Sequence, residues 1–436
     1  MTELYQNIPN IQYDILMTCK YEGKIQNRNL EIEGDPEITN LRFLEKFDIL
    51  TLKYNVSNNM SVKLSSNTIT ELTLKQLVHF VDKYMQQYVL NVDDLELQNL
   101  ETLVLENNKL ENGQLFNLNK FKKLSNLNVS LNNVDLTHIH NIIGLTQLSV
   151  QGCGLKNIDQ IISLVNLKEL NLSKNIGINL GPLCKVTSIT KLLIRECCLK
   201  KNQINQIAPL SNLEVLDVSF NQLQNIDSLS GLINLKELVL DSCGLRQLSA
   251  LKYLVNLRNL NLYNNSNIDV TELQYLKNIT HLNLYQCGFV SIHVLRPLMN
   301  LQSLNISENK IVFFDIDLNE LKKLEKLNVD GNLINDITST EILLNFNNKQ
   351  RIRYFDISHQ IKPTRKQLRL AQKLRRIENP NILLLQIQNK HLTFKTLFYN
   401  FKQQIAVIKE HIHSKHIQNI SYIALVFQQM NQSVYQ

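Results

Sequence analysis

One pattern governs this chain. The spacing LxxLxLxxN, or LxxLxLxxC, restarts every 21 to 24 residues. Eleven clear units begin at Leu100, Leu124, Leu145, Leu167, Ile189, Leu213, Leu235, Leu257, Ile279, Leu301 and Leu324. A period of this length is the mark of a stacked-repeat architecture, in which no single unit can bury its apolar face alone.

The local chemistry says what each unit builds. The LxLxx segment alternates, so it reads as a short strand with leucines inward and the residues between them outward. Apolar steps of three follow, such as Leu155, Ile158, Ile161 and Leu164. They suit a 3₁₀ or short helical return. Strands that repeat in one direction are expected to stack as a parallel, curved sheet.

The longer pattern is clearest in IDSLSGLINLKELVLDSCGL, residues 226–245. With its 22-residue spacing it resembles the short class of leucine-rich repeats, found in a regulatory subunit of protein phosphatase 1 and in bacterial internalins. The resemblance implies an α/β fold, a solenoid with parallel strands on the concave face and 3₁₀ or short helices on the convex face, to which the residues after Pro363 add a helical C-terminal region. Weaker units come first. NRNLEIEGD (27–35) reads as a capping strand, and FDILTLKYN (47–55) and ITELTLKQL (69–77) as degenerate repeats. Residues 75–99 read as an insertion with some helix, and IRYFDISHQ (352–360) as one last strand. The expected organisation is therefore an N-terminal segment (1–46), the solenoid (47–360) and a basic helical region (361–436).

The outward positions define the face a partner would meet. Between the strand leucines lie Asp217 and, further on, Asn261, Asn283, Asn305 and Asn328, the last four an asparagine row along the later repeats. After the second leucine come Ser130, Ser173, Arg195, Ser219, Asp241, Tyr263, Tyr285 and Ser307, and Phe220 follows at the next position. Exposed aromatics and arginine among polar groups are what interface hot spots use. Arg195, Asp217, Phe220, Asp241, Tyr263 and Tyr285 are therefore the candidate partner-binding residues. The plainer reading is that neighbouring tyrosines stack to cover the sheet.

The ninth position of each unit holds Asn or Cys. From Asn132 to Asn309 the two alternate strictly: Cys153, Asn175, Cys197, Asn221, Cys243, Asn265, Cys287. Both residue types can satisfy loop backbone that would otherwise be buried unpaired. Cysteines on alternate repeats would lie about 9.6 Å apart, twice the strand spacing. A disulfide needs Cα atoms within about 7 Å, and zinc ligands must converge on one ion. A structural role is expected, with no metal and no cofactor.

The net charge of +7 conceals a division. Residues 345–436 carry 15 Lys and Arg against 3 Asp and Glu, leaving 31 against 36 in the rest. In TRKQLRLAQKLRRIEN, Arg365, Arg369, Lys373 and Arg376 share one face of an expected helix bounded by Pro363 and Pro380. Heptad-like seams follow at Phe401, Ile405, Ile408 and Ile412, and again from Ile420 to Val434. His411, His413 and His416 read as a solvated cluster, because helix positions two apart diverge. His138 and His140 read the same way.

Seven cysteines, an odd number, and an N-terminus without an apolar core point to free thiols in a reducing compartment. The cytoplasm is expected, with the nucleus left open. No apolar run reaches the roughly 20 residues of a membrane span. No nucleotide loop, zinc motif, nucleophile elbow or kinase signature is present. The expected function is a non-enzymatic protein-interaction scaffold working through its concave face. The resemblance adds a phosphatase as a sharper partner. The alternatives are RNA association through the basic C-terminal region and self-association through its coiled-coil-like helices.

Overall fold

The computed structural model describes residues 22–26, 29–34, 49–54, 64–65, 69–76, 95–334 and 354–356. They belong to the first of two compact units, Met1–Leu385; the second, Gln386–Gln436, lies outside them. The basic helix with Arg365, Arg369, Lys373 and Arg376, the heptad seams and the histidine cluster also lie outside the described residues.

Sixteen strands among the described residues form one open sheet, ordered as they occur in the chain except that the short strand pair below stands apart. Each clear repeat contributes three residues, for example Lys191–Leu193, Val215–Asp217, Glu237–Val239 and Asn259–Asn261. Register follows the repeat spacing. Leu192 pairs with Leu216, Leu216 with Leu238, and Leu238 with Leu260. One leucine from every strand is thereby aligned in an inward column. Leu192, Leu216 and Leu238 have no exposed surface, nor do Leu240 and Leu262 one column over. Truncating such a leucine to alanine costs about 2–5 kcal/mol.

The returns are mostly 3₁₀ turns, as the three-residue apolar steps require: Asp159–Ser163, Gly181–Lys185, Asp227–Gly231, Ser249–Tyr253 and Thr271–Tyr275. A single α turn, Lys201–Ile204, occurs among the described residues in the longer step after Cys197. Backbone hydrogen bonds tie neighbouring repeats before and after each strand, as in Lys236 N to Glu214 O at 2.8 Å and Val218 N to Val239 O at 3.0 Å.

Both ends extend the pattern. Asn29–Gly34, Ile49–Tyr54 and Glu71–Gln76 are parallel strands, and Tyr354–Asp356 joins Lys326–Asn328 at the other end. One expectation is corrected here. The sheet is not parallel throughout, because Glu22–Gln26 lies antiparallel to Asn29–Gly34. Among the described residues Glu22–Gln26 is the end strand of the sheet, one outside Asn29–Gly34. Of the segment 75–99, residues 75–76 end Glu71–Gln76 and Leu95–Glu96 pairs with Leu64–Ser65 in a separate two-stranded sheet; the stretch expected to hold some helix, 77–94, lies outside the described residues.

Candidate functional site

The ninth-position row is structural, and the bonds show how. Asn221 is buried. Its Nδ2 donates to Ile194 O at 2.8 Å, Val218 O at 2.7 Å and Ser219 O at 3.2 Å. Its Oδ1 accepts from the backbone of the preceding repeat, Cys197 N at 3.1 Å and Leu199 N at 2.9 Å. Cys243 keeps only the donor half. Its Sγ donates to Val218 O at 3.3 Å and weakly to Asp241 O at 3.5 Å.

A thiol is a poor acceptor, so the loop before each of Cys197, Cys243 and Cys287 bonds differently. Gly177 N, Leu223 N and Asn267 N donate to the backbone carbonyls of Cys197, Cys243 and Cys287 at 2.9, 3.1 and 2.9 Å. From Asn175 to Asn309 the alternation of Asn and Cys is thus an alternation of side-chain and main-chain acceptors. Burial pushes the thiols up, Cys197 to about 11 and Cys243 and Cys287 to about 12. All six described cysteines are free, and only Cys184 and Cys198 among them are exposed. No three His, Cys, Asp or Glu side chains converge on a metal position among the described residues. His138 meets the Phe116 ring edge-on at 5.1 Å, and His140 Nδ1 lies 2.6 Å from Thr137 O.

The concave face differs from the sequence expectation in one column. Ser130, Ser173, Ser219 and Ser307 are buried rather than outward. Serine is short, and larger residues stand at the same position one repeat on: Gln151, Arg195, Asp241. Ser130, Ser173 and Ser219 accept the backbone N–H of those residues at 3.1 to 3.3 Å.

The six candidate residues form three small groups. Arg195 lies over the Phe220 ring, 4.6 Å from its centroid. Its guanidinium reaches Glu196 at 3.4 Å and Asp217 at 4.0 Å. Phe220 is 41% exposed and sits at φ +57°, an unusual backbone for a bulky side chain. Tyr263 and Tyr285 stack in parallel, 5.0 Å between centroids and 10° between planes. Burial, followed by Glu308, Tyr263 and Asp330, pushes the Tyr285 phenol up. Between these groups stands Asp241, one of whose oxygens, Oδ1, is buried without a hydrogen-bond partner. Burial and the neighbouring Asp217 push its carboxyl up to about 6, against the pull of Arg195.

The asparagine row also has an internal task. Asn261, Asn283, Asn305 and Asn328 each turn Oδ1 onto the backbone N–H two residues on, at 2.9 to 3.1 Å. Asp217 does the same for Ser219 at 2.9 Å. No helix among the described residues is long and apolar enough to cross a membrane.

Comparisons with known proteins agree with this geometry. Residues 211–253 match the family described as leucine-rich repeats, two copies. No curated protein sequence matches the chain. Among solved structures, an internalin of Listeria monocytogenes is 24% identical with a TM-score of 0.56, over 63% of this chain and 79% of that one. A leucine-rich-repeat protein of Leptospira interrogans is 26% identical with a TM-score of 0.49, over 61% and 74%. A plant peptide hormone receptor, solved with its peptide, is 19% identical with a TM-score of 0.47, over 77% and 54%. With the matched repeat recurring in register from Leu100 to Asn332, the chain carries leucine-rich repeats and has the leucine-rich-repeat solenoid fold.

Proposed function

We propose that this chain is a non-enzymatic scaffold that holds a partner protein on its concave face, through Arg195, Asp217, Phe220, Asp241, Tyr263 and Tyr285. The observation that carries this reading is the stacked pair Tyr263 and Tyr285. The sheet closes its core with leucine columns beneath, so packing does not require two large rings on the outer side. Rings on that surface supply rigid contact area at small entropic cost. The Arg195–Phe220 pair adds a second anchor on the same face. A phosphatase partner rests on repeat length alone, and the RNA and self-association alternatives rest on residues outside those described.

The test is affinity capture with the purified full chain, washed in high salt, beside a Tyr263→Ala/Tyr285→Ala variant of unchanged circular dichroism. The wild type is expected to retain a reproducible protein that the variant loses. Equal retention by both would remove the concave face from the function.

A further inference from the structure

The amides of Asn261, Asn283, Asn305 and Asn328 have more to offer than the bonds they make inside the repeat. Their residues face one another in register on four successive strands. Each Oδ1 is committed to a backbone N–H. Only oxygen can accept that proton, so the amide cannot flip. Each Nδ2 is thereby held as the free end of the amide, and no hydrogen bond from it is found among the described residues. Asn171, at the same position in an earlier repeat, spends its Nδ2 on Gln151 at 3.2 Å. The later four present a row of fixed donors on an otherwise outward face.

A row of donors selects a ligand with a row of acceptors, and the surrounding charge narrows the choice. Asp217, Glu237 and Asp241 stand at outward positions of the two repeats before the ladder, and Glu308 and Asp330 within it, against His281 and Lys326. Arg195 is already engaged by Glu196 and Asp217. A phosphodiester chain would be repelled by such a surface. An extended peptide is not. Its same-side carbonyls recur about every 6.7 Å, so three of them span about 13 Å, against about 14 Å for four strands at sheet spacing. The unpartnered, buried oxygen of Asp241 lies one repeat before the ladder begins. With that oxygen shut in, a guanidinium or ammonium from outside would meet the half-buried carboxylate through its other oxygen.

We propose that the ladder Asn261, Asn283, Asn305 and Asn328 reads the main-chain carbonyls of an extended segment of the partner protein, while Asp217 and Asp241 receive a Lys or Arg side chain of that segment. This rests on the concave-face reading above and specifies its ligand. Asp241, flanked by Asp217 and Arg195 with the Cys243 and Cys287 thiols beneath, would bind the basic group better above pH 6 than below it.

The test uses random dodecapeptides displayed on phage and selected on the purified full chain. Recovered sequences are expected to share a Lys or Arg, and a synthetic copy of one serves as the probe. The decisive variant is Asn283→Asp/Asn305→Asp. Aspartate keeps the internal acceptor, as Asp217 shows in this chain, and removes the donor. Probe binding is expected to weaken by about tenfold or more, the worth of one or two hydrogen bonds. Asp241→Asn is expected to weaken it by about tenfold and to flatten its pH dependence near 6.

Unchanged or tighter binding by the double aspartate variant would overturn the ladder, since added negative charge alone favours a basic peptide. If that happens while Tyr263→Ala/Tyr285→Ala still abolishes binding, the concave-face reading stands and the ladder falls. If neither pair matters, the peptide binds elsewhere and both fall for this ligand. Recovery of no peptide overturns the proposal, and whole-protein capture then judges the scaffold reading by itself. Displacement of the probe by a synthetic peptide of residues 361–379 would assign the face to the chain's own basic segment instead of a partner.

Discussion

The loops that end in asparagine and those that end in cysteine occupy the same place in successive repeats, yet they solve one problem in two ways. At Asn221 a single amide makes three donor and two acceptor contacts, so the side chain stitches its own turn to the preceding repeat. At Cys243 the side chain only donates, and the main-chain carbonyl of the same residue takes over as acceptor for Leu223 N. The side chain is therefore indispensable in one kind of repeat and supplementary in the other. The solenoid is a chain of strong and weak joints.

The sharpest way to break this comparison is truncation. Asn221→Ala strands two loop N–H groups and up to three carbonyls, and each buried orphan costs about 1–3 kcal/mol. A loss of about 3 kcal/mol or more is expected. It should appear as faster amide exchange at residues 197 and 199 and a lower urea midpoint. Cys243→Ala removes one weak donor and one sulfur, for an expected loss of about 1–2 kcal/mol. If the two truncations cost the same, the distinction between the joints is wrong.

Thiol chemistry sharpens the same point from the other side. At pH 8, Cys184 and Cys198 are expected to react with a disulfide reagent in the folded protein. Cys197, Cys243 and Cys287, buried and titrating at about 11 to 12, should stay silent until the chain unfolds. Counting modified cysteines by mass spectrometry decides it. Rapid modification of Cys197 ahead of Cys198 would contradict the buried geometry.

The smallest expected effect concerns Asp241. Its folded carboxyl titrates near 6 against an ordinary value of 3.8, so between those limits the folded state binds more protons than the unfolded one. Stability contributed by the neutral acid is present at low pH and is lost as pH rises from about 4 to 6. Asp241→Asn should remove that slope. It should also raise neutral-pH stability by about 1 kcal/mol, after allowance for solvent screening of a half-exposed group. A steeper slope in the variant would mean that Asp241 is held as the charged form.

Much of this was legible in the sequence, because one apolar spacing repeated eleven times leaves a single way to bury every leucine. The strand leucines, the 3₁₀ returns and the inward ninth position all follow from spacing within one repeat. The adjacency of Tyr263 and Tyr285 follows from the period. Properties that depend on a neighbour's size or on the sense of a bond were not legible. Ser219 is buried because of what stands beside it in the next repeat, which its own unit does not encode. The fixed sense of the Asn283 amide depends on a backbone N–H, and sequence shows only that an asparagine is there. Nothing in EGKIQ marks Glu22–Gln26 as running against the strands that follow.

That reversed strand has a consequence for the molecule among its own kind. A stack of identical-sense strands is self-complementary end to end: the last strand of one copy could continue the first strand of another, and then another, without closing on itself. Turning the outer described strand around means that a repeat strand arriving in the stacking direction would meet it antiparallel, with paired perpendicular bonds, instead of the slanted parallel ladder that joins the repeats. Among the described residues the array therefore ends on a strand of opposite sense, a directional mark that separates this end of the stack from every junction between repeats.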